Sequence, residues 1–223
     1  MSRSTVFGLA VVFAMSSFTA GQEHPAPGPY TCTMLSSART QEAGCYIIGT
    51  EKIDDLPAGP LYWHLYTYPT LEQAKREQQE SGGIVAESLG KVWLFKVAAE
   101  NWVPTGGDRV TVIGPLEVSP AKRYEARYIE AVIPPGRPGT PVHRHPGPEA
   151  WYVLSGSQCM QTPAGTKTVR EHETAVIPGG VPMAVKFPFK ETVRHIVLVL
   201  YDASQPWRTK AQDWTPTTTC PSQ

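Results

Sequence analysis

The chain has 223 residues, enough for one sizeable domain or for a smaller domain with a substantial extension. Its 20 basic and 20 acidic residues cancel, which removes the electrostatic case for a nucleic-acid or anionic-membrane partner. With 18% charged residues, 22 prolines and 19 glycines, the composition favours short strands and tight turns over long helices.

Residues 1–21 read as a secretory signal peptide. Arg3 gives a positive start, Val6 to Phe18 is an apolar and small-residue run too short to span a bilayer, and Thr19-Ala20-Gly21 offers a cleavage site. A cut after Gly21 fits better than one after Ala20, which would put Phe18 close to the cleaved bond. This predicts a secreted or periplasmic protein with no transmembrane segment after processing. Residues 22–31, with "HPAPGP", form a Pro-rich linker.

Residues 32–118 make up an N-terminal segment. "LYWHLYTY" (61–68) alternates Leu61, Trp63 and Leu65 with Tyr62, His64, Tyr66 and Tyr68, the period of a strand. Thr70 and Gln73 form a capping box that starts a polar helix running to about Glu80, where Ser81-Gly82-Gly83 stops it. "IVAESLGKVWLFKVA" (84–98) reads as two strands about a turn at Leu89-Gly90, giving a β-α-β-β unit. His64 is read as a packed or hydrogen-bonded structural residue, and Trp63, Trp93 and Trp102 as core or sheet-covering residues.

From Tyr124 onward strand candidates follow one another at close intervals: 124–136, 140–145, 149–156, 157–163, 174–180, 182–187 and 194–203. Such spacing predicts a sandwich or barrel over 119–205, followed by a tail at 206–223 that carries Pro206, Trp207 and Trp214. Cys32, Cys45, Cys159 and Cys220 are an even number in an exported chain, which predicts disulfides. Four cysteines allow three pairings, and the sequence does not select one. Cys32–Cys45 would close a short local loop and Cys159–Cys220 would tie the tail to the body; a free Cys159 thiol is the competing reading.

Within "PVHRHPGPEAWYVLSG" (141–156), strand alternation puts His143 and His145 on one face and Arg144 on the other. Pro146-Gly147-Pro148 bends the chain, which resumes with Glu149 on the face of Trp151 and Val153. If that face looks inward, two imidazoles and a carboxylate meet in an apolar interior. A divalent metal is the common remedy for the desolvation cost, and an inward hydrogen-bonded cluster without metal is the alternative.

His143-x-His145, three residues, Glu149, six residues and Gly156 match the first signature of the cupin superfamily without a gap. "AVIPGGVPM" (175–183) resembles the second signature through Pro178 and Gly180. The resemblance implies a mainly β chain, a cupin-type β-barrel (double-stranded β-helix or jelly roll) preceded by the small β-α-β-β segment. Two positions depart from the pattern: Met183 stands where cupins carry their last histidine ligand, and His172, read as an exposed turn residue, stands where the second signature opens with glycine. The remaining set, His143, His145 and Glu149, suits Fe(II) with open positions, and Cu, Mn or Zn also fit. Met183 is either a soft thioether ligand or an apolar filler of the ligand's place. His195 either enters the cavity as a replacement ligand or packs beside the sheet. Arg127, Arg137, Arg144 and Arg194 are solvent-facing strand charges unless one of them grips an anionic substrate.

Resemblance to quercetin-dioxygenase-like cupins implies an exported, metal-dependent oxidoreductase acting on a small organic molecule. In that reading Glu149 is both ligand and catalytic proton acceptor, Trp151 and Met183 line the substrate pocket, and the barrels pair as a homodimer. The rivals are a non-catalytic small-ligand binder with a degenerate metal site, and a self-associating structural protein of the envelope.

Overall fold

The computed structural model describes residues 32–53, 56 and 59–221, so the signal peptide and Pro-rich linker expected at 1–31 lie outside the described residues. The first half holds β1 (Met34–Leu35), β2 (Gly44–Ile53), β3 (Leu61–Tyr68), α1 (Leu71–Ser81), β4 (Ile84–Ser88), β5 (Lys91–Ala99) and β6 (Asp108–Leu116). The second holds β7 (Tyr124–Ile133), β8 (His143–Arg144), β9 (Glu149–Ser155), β10 (Ser157–Thr162), β11 (Gly165–Arg170), β12 (Thr174–Ile177), β13 (Ala184–Lys186), β14 (Val193–Asp202) and β15 (Thr209–Lys210).

Three sheets are stacked. A six-stranded sheet in the order β1-β2-β7-β14-β9-β12 forms the middle layer, a four-stranded sheet β4-β5-β3-β6 covers one face, and a three-stranded sheet β11-β10-β13 covers the other. Strand alternation explains the layering. Along β7, β9 and β14 the even positions, such as Ala126, Tyr128, Ala150, Tyr152, Ile196 and Leu198, pack with Leu61, Trp63, Trp93 and Phe95 of the four-stranded sheet. The odd positions, such as Ile129, Ala131, Trp151, Val153, Val197 and Val199, pack with Met160, Val169 and Val185 of the three-stranded sheet. This second pair of sheets is the jelly-roll sandwich expected from the sequence.

The N-terminal elements follow their sequence signals. Thr70 caps α1 by accepting from the Gln73 N–H at 3.3 Å, and Gly82, at φ 74°, ends it with its N–H on the Gln78 carbonyl at 2.8 Å. Leu89 and Gly90, at φ 51° and 76°, turn β4 into β5. His64 is fully buried, with Nε2 2.9 Å from the Ala99 carbonyl and its ring edge-on to Trp102.

Two features differ from the sequence expectation. β2 lies within the expected N-terminal segment 32–118, yet pairs antiparallel with β7 along its length and so belongs to the jelly-roll sheet. Its alternation fixes which faces are buried but not which sheet it joins. β6, absent from the expected β-α-β-β unit, pairs with β3 and completes the covering sheet. The even-faced Glu130 of β7 is buried in that interface, where it accepts from Arg39 Nη1 at 2.5 Å and from the Ser88 hydroxyl.

The cysteines pair as Cys32–Cys45 and Cys159–Cys220, and no free thiol remains among the described residues. The first ties the entry of the chain to β2 and the second ties the tail to β10. No helix among the described residues is long and apolar enough to cross a membrane.

Candidate metal centre

Each component of the site is fixed by backbone contacts. His143 exchanges both of its backbone hydrogen bonds with Met183, at 3.0 and 2.8 Å, while β8 pairs on its other side with β15 of the tail. The Pro146-Gly147-Pro148 bend is anchored to β14, the Pro146 carbonyl accepting from Asp202 at 3.2 Å and the Pro148 carbonyl from Leu200 at 2.9 Å. Glu149 then opens β9 between Ile177 of β12 and Val199 of β14. The loop "PGG" (178–180) docks on this bend: the Gly180 N–H donates to the His145 carbonyl at 2.8 Å, and Gly179 packs on the Gly147 backbone. The second motif thus buttresses the first through its backbone, with Met183 at the position of the cupin pattern's histidine.

His143, His145 and Glu149 come together with one ligand atom each, all within 4.8 Å of one another, and all three are buried. Both imidazoles are oriented from behind. His143 Nδ1 lies 2.8 Å from the Pro141 carbonyl and His145 Nδ1 2.6 Å from the Trp207 carbonyl. A carbonyl only accepts, so each Nδ1 carries the proton and each Nε2 keeps its lone pair. His145 Nε2 and one Glu149 oxygen have no hydrogen-bond partner. The nearest approach between these two residues, 3.6 Å, is too long for a hydrogen bond.

Burial dominates the protonation. It holds His145 down to about 3, helped by the neighbouring His143, and lowers His143 as well. It lifts Glu149 to about 8, against smaller opposing pulls, first from the Trp151 side chain and then from Arg208. At neutral pH the site without metal therefore holds two neutral imidazoles and a protonated carboxyl. Orphaned, buried nitrogen and oxygen donors held at this spacing fit a divalent ion, as a two-histidine, one-carboxylate set with open positions.

The site faces a cavity of about 40 Å³ whose wall includes Ile129, Ala131, Trp151, His195, Val197 and Arg208. Trp151 lies on this wall as expected. Met183 does not: its side chain is fully buried in the apolar core, so the expectation that it lines the pocket is corrected. Its burial among apolar side chains agrees with the filler reading. His195 lines the cavity but stands outside the three-residue cluster, edge-on to Trp151 at 4.8 Å and stacked near Phe187 at 6.3 Å between ring centroids. His172 is an exposed turn residue at φ 64°, as expected. Arg144 is paired with Asp213 and Arg194 with Glu42. Sequence reading placed Trp207 only in the tail and passed over Arg208, yet both close the cavity; the signal available was an aromatic-basic pair shortly before Cys220.

A family model described as "Cupin domain" matches residues 129–199, the stretch from mid-β7 to the end of the apolar run of β14. Among solved structures, the chain is similar to the DMSP lyase DddQ from Ruegeria pomeroyi DSS-3, with 17% identity, 38% of this chain and 42% of that chain covered, and a TM-score of 0.34. It is also similar to a cupin-like protein from Thermotoga maritima MSB8, with 19% identity, 40% and 64% covered and a TM-score of 0.34. A third is a cupin-2 domain containing protein from Shewanella frigidimarina NCIMB 400, with 19% identity, 33% and 68% covered and a TM-score of 0.29. The chain spans less than half the length of the first of these. No protein of curated function matches it. With signature, sheet order and family match falling on the same residues, 129–199 are a cupin domain.

Proposed function

We propose that His143, His145 and Glu149 hold a divalent metal, iron foremost, and that the chain is an exported, dioxygenase-like enzyme acting on a small organic molecule. The observation that carries this reading is the paired orientation of the imidazoles: both Nδ1 atoms are committed to backbone carbonyls, and the freed donor atoms cluster in a buried cavity. A bound iron would supply Lewis-acid polarisation of substrate oxygens and activation of dioxygen.

The chain's own contributions follow from the geometry. The Pro141 and Trp207 carbonyls hold the rings in one tautomer, and the apolar walls from Ile129, Ala131, Trp151 and Val197 exclude water. Glu149, a carboxylate whose burial raises its affinity for a proton in the metal-free site, is the group suited to take a proton from a substrate. Two disulfides support export, because such bonds persist in oxidising compartments. Met183, buried as an apolar filler, favours the second reading, a non-catalytic binder of small ligands whose metal site has decayed.

Elemental analysis of protein recovered from its host's exported fraction separates the two. The enzyme reading expects one equivalent of Fe, or of Cu, Mn or Zn, that disappears in His143→Ala. Protein that stays metal-free after anaerobic reconstitution overturns it.

A further inference from the structure

We propose that the cavity takes a short-chain carboxylate and that Arg208, in the tail beyond the cupin match, is the residue that grips it. The inference deepens the metal-site reading and rests on it for the placement of the ligand's remaining oxygen.

Arg208 is held beside the metal ligands by the chain itself. Thr209 and Lys210 pair with Arg144 and His143, and the Ala211 N–H donates to the Val142 carbonyl at 3.3 Å, so the tail runs as an added strand along β8. One residue earlier, Trp207 gives its carbonyl to His145 and stacks its ring on the same imidazole, with centroids 5.4 Å apart. The guanidiniums of Arg127 and Arg208 lie 4.6 and 5.0 Å from the Trp207 ring centre. The tail thus fixes Arg208 relative to His145 without a flexible linker between them.

Charge then selects the ligand. Apart from the neutral histidines, Glu149 and Arg208 are the only ionisable side chains on the cavity wall. Arg144 and Arg194 are each paired with a carboxylate, and Arg127 contacts the Tyr201 hydroxyl at 3.4 Å. Among the described residues no carboxylate hydrogen-bonds Arg208, whose electrostatic partner is Glu149. A metal held by Glu149 would occupy that partner and leave the cavity with excess positive charge. A half-buried guanidinium in that position calls for an anion, and its planar fork matches a carboxylate. The small volume and the apolar waist of Ile129, Ala131, Trp151 and Val197 restrict the rest of the ligand to a short chain. A 2-hydroxy or 2-oxo acid meets these demands, with its carboxylate on Arg208 and an oxygen toward the metal donors.

The test titrates glycolate and its neutral amide, glycolamide, calorimetrically into the full chain, as wild type, Arg208→Met and Arg208→Lys, with the metal content of each sample measured. The expected result is glycolate affinity about ten- to a hundredfold weaker in Arg208→Met and intermediate in Arg208→Lys. Glycolamide should bind more weakly to the wild type and be indifferent to the substitution. Equal glycolate affinity in wild type and Arg208→Met overturns the inference, as does glycolamide binding as tightly as glycolate, or no glycolate binding to the wild type. If Arg208→Met does not fold, Arg208→Lys decides by the same criterion. A wild type without metal overturns the metal reading alone, and the glycolate comparison in that sample still decides the role of Arg208.

Discussion

Replacing His195 by phenylalanine isolates the energetic consequence of one buried imidazole. The ring is 3% exposed, its Nδ1 has no hydrogen-bond partner, and it sits against Trp151 and Phe187, so a phenyl ring fills the place without removing a known polar contact. Burial alone holds its pKa down to about 3, against about 6.5 in the unfolded chain. The folded value lies below the unfolded one, so the unfolded chain takes up the proton first as the pH falls. The associated stability is complete above pH 6.5 and is lost progressively toward pH 3, at about 1.4 kcal/mol per pH unit. Between pH 6.5 and pH 5 this amounts to about 2 kcal/mol. Urea unfolding of metal-stripped protein at the two pH values should show wild type losing about 2 kcal/mol more than His195→Phe. His145 has a similar acid limb in both proteins, so its contribution cancels in the comparison. Equal losses in the two proteins would refute the reasoning, because they would mean that His195 meets the proton equally in both states.

Other consequences are open to direct measurement. Met183→His places an imidazole opposite His143 on the neighbouring strand and should tighten metal binding about tenfold or more, read by competition with a chelator. Gly147→Ala should destabilise the protein by more than about 2 kcal/mol in urea titration, since its Cβ would stand 2.0 Å from the Leu200 carbonyl oxygen, a backbone atom that cannot swing away. Converting Cys159 and Cys220 together to serine opens a link between residues 61 positions apart, for which loop entropy gives a loss of about 4 kcal/mol in unfolding free energy. The same variant should bind metal less tightly, because the Trp207 carbonyl that orients His145 sits on the loosened tail. Loading metal at pH 7 should release about one proton, since Glu149 is protonated beforehand; calorimetry in buffers of different ionisation enthalpy reads it, and no dependence on buffer would contradict the raised Glu149 pKa.

The cluster of His143, His145 and Glu149 was legible because its three residues are close in sequence and a strand's period fixes their direction. His143 and His145 share a face by alternation, and the proline-glycine bend that returns Glu149 to that face is written in residue types that admit little else. The helix at 71–81 was legible for the same reason, its start and stop lying in Thr70 and Gly82. Sheet membership was not. β2 has the apolar pattern of a buried strand, and nothing local distinguishes a partner in the covering sheet from β7. Arg208, and the place of Trp207 on the cavity, escaped for a related reason: both follow from the pairing of Thr209 and Lys210 with Arg144 and His143, far back in the chain, and a short strand has no period to detect. Met183 was ambiguous in sequence because a thioether can ligate or fill, and its burial among apolar side chains shows only after folding.

The four-stranded sheet laid over the jelly roll has a consequence in mass action. A sheet with both faces apolar needs cover on both sides, and a cover borrowed from a second molecule is held only as well as concentration allows. Here Leu61, Trp63, Trp93 and Phe95 reach the jelly-roll sheet from the same chain. Their association is unimolecular, with an effective concentration set by the connecting segments rather than by how much protein is present. That face of the jelly-roll sheet, the sheet that also carries Glu149, therefore stays covered at any dilution.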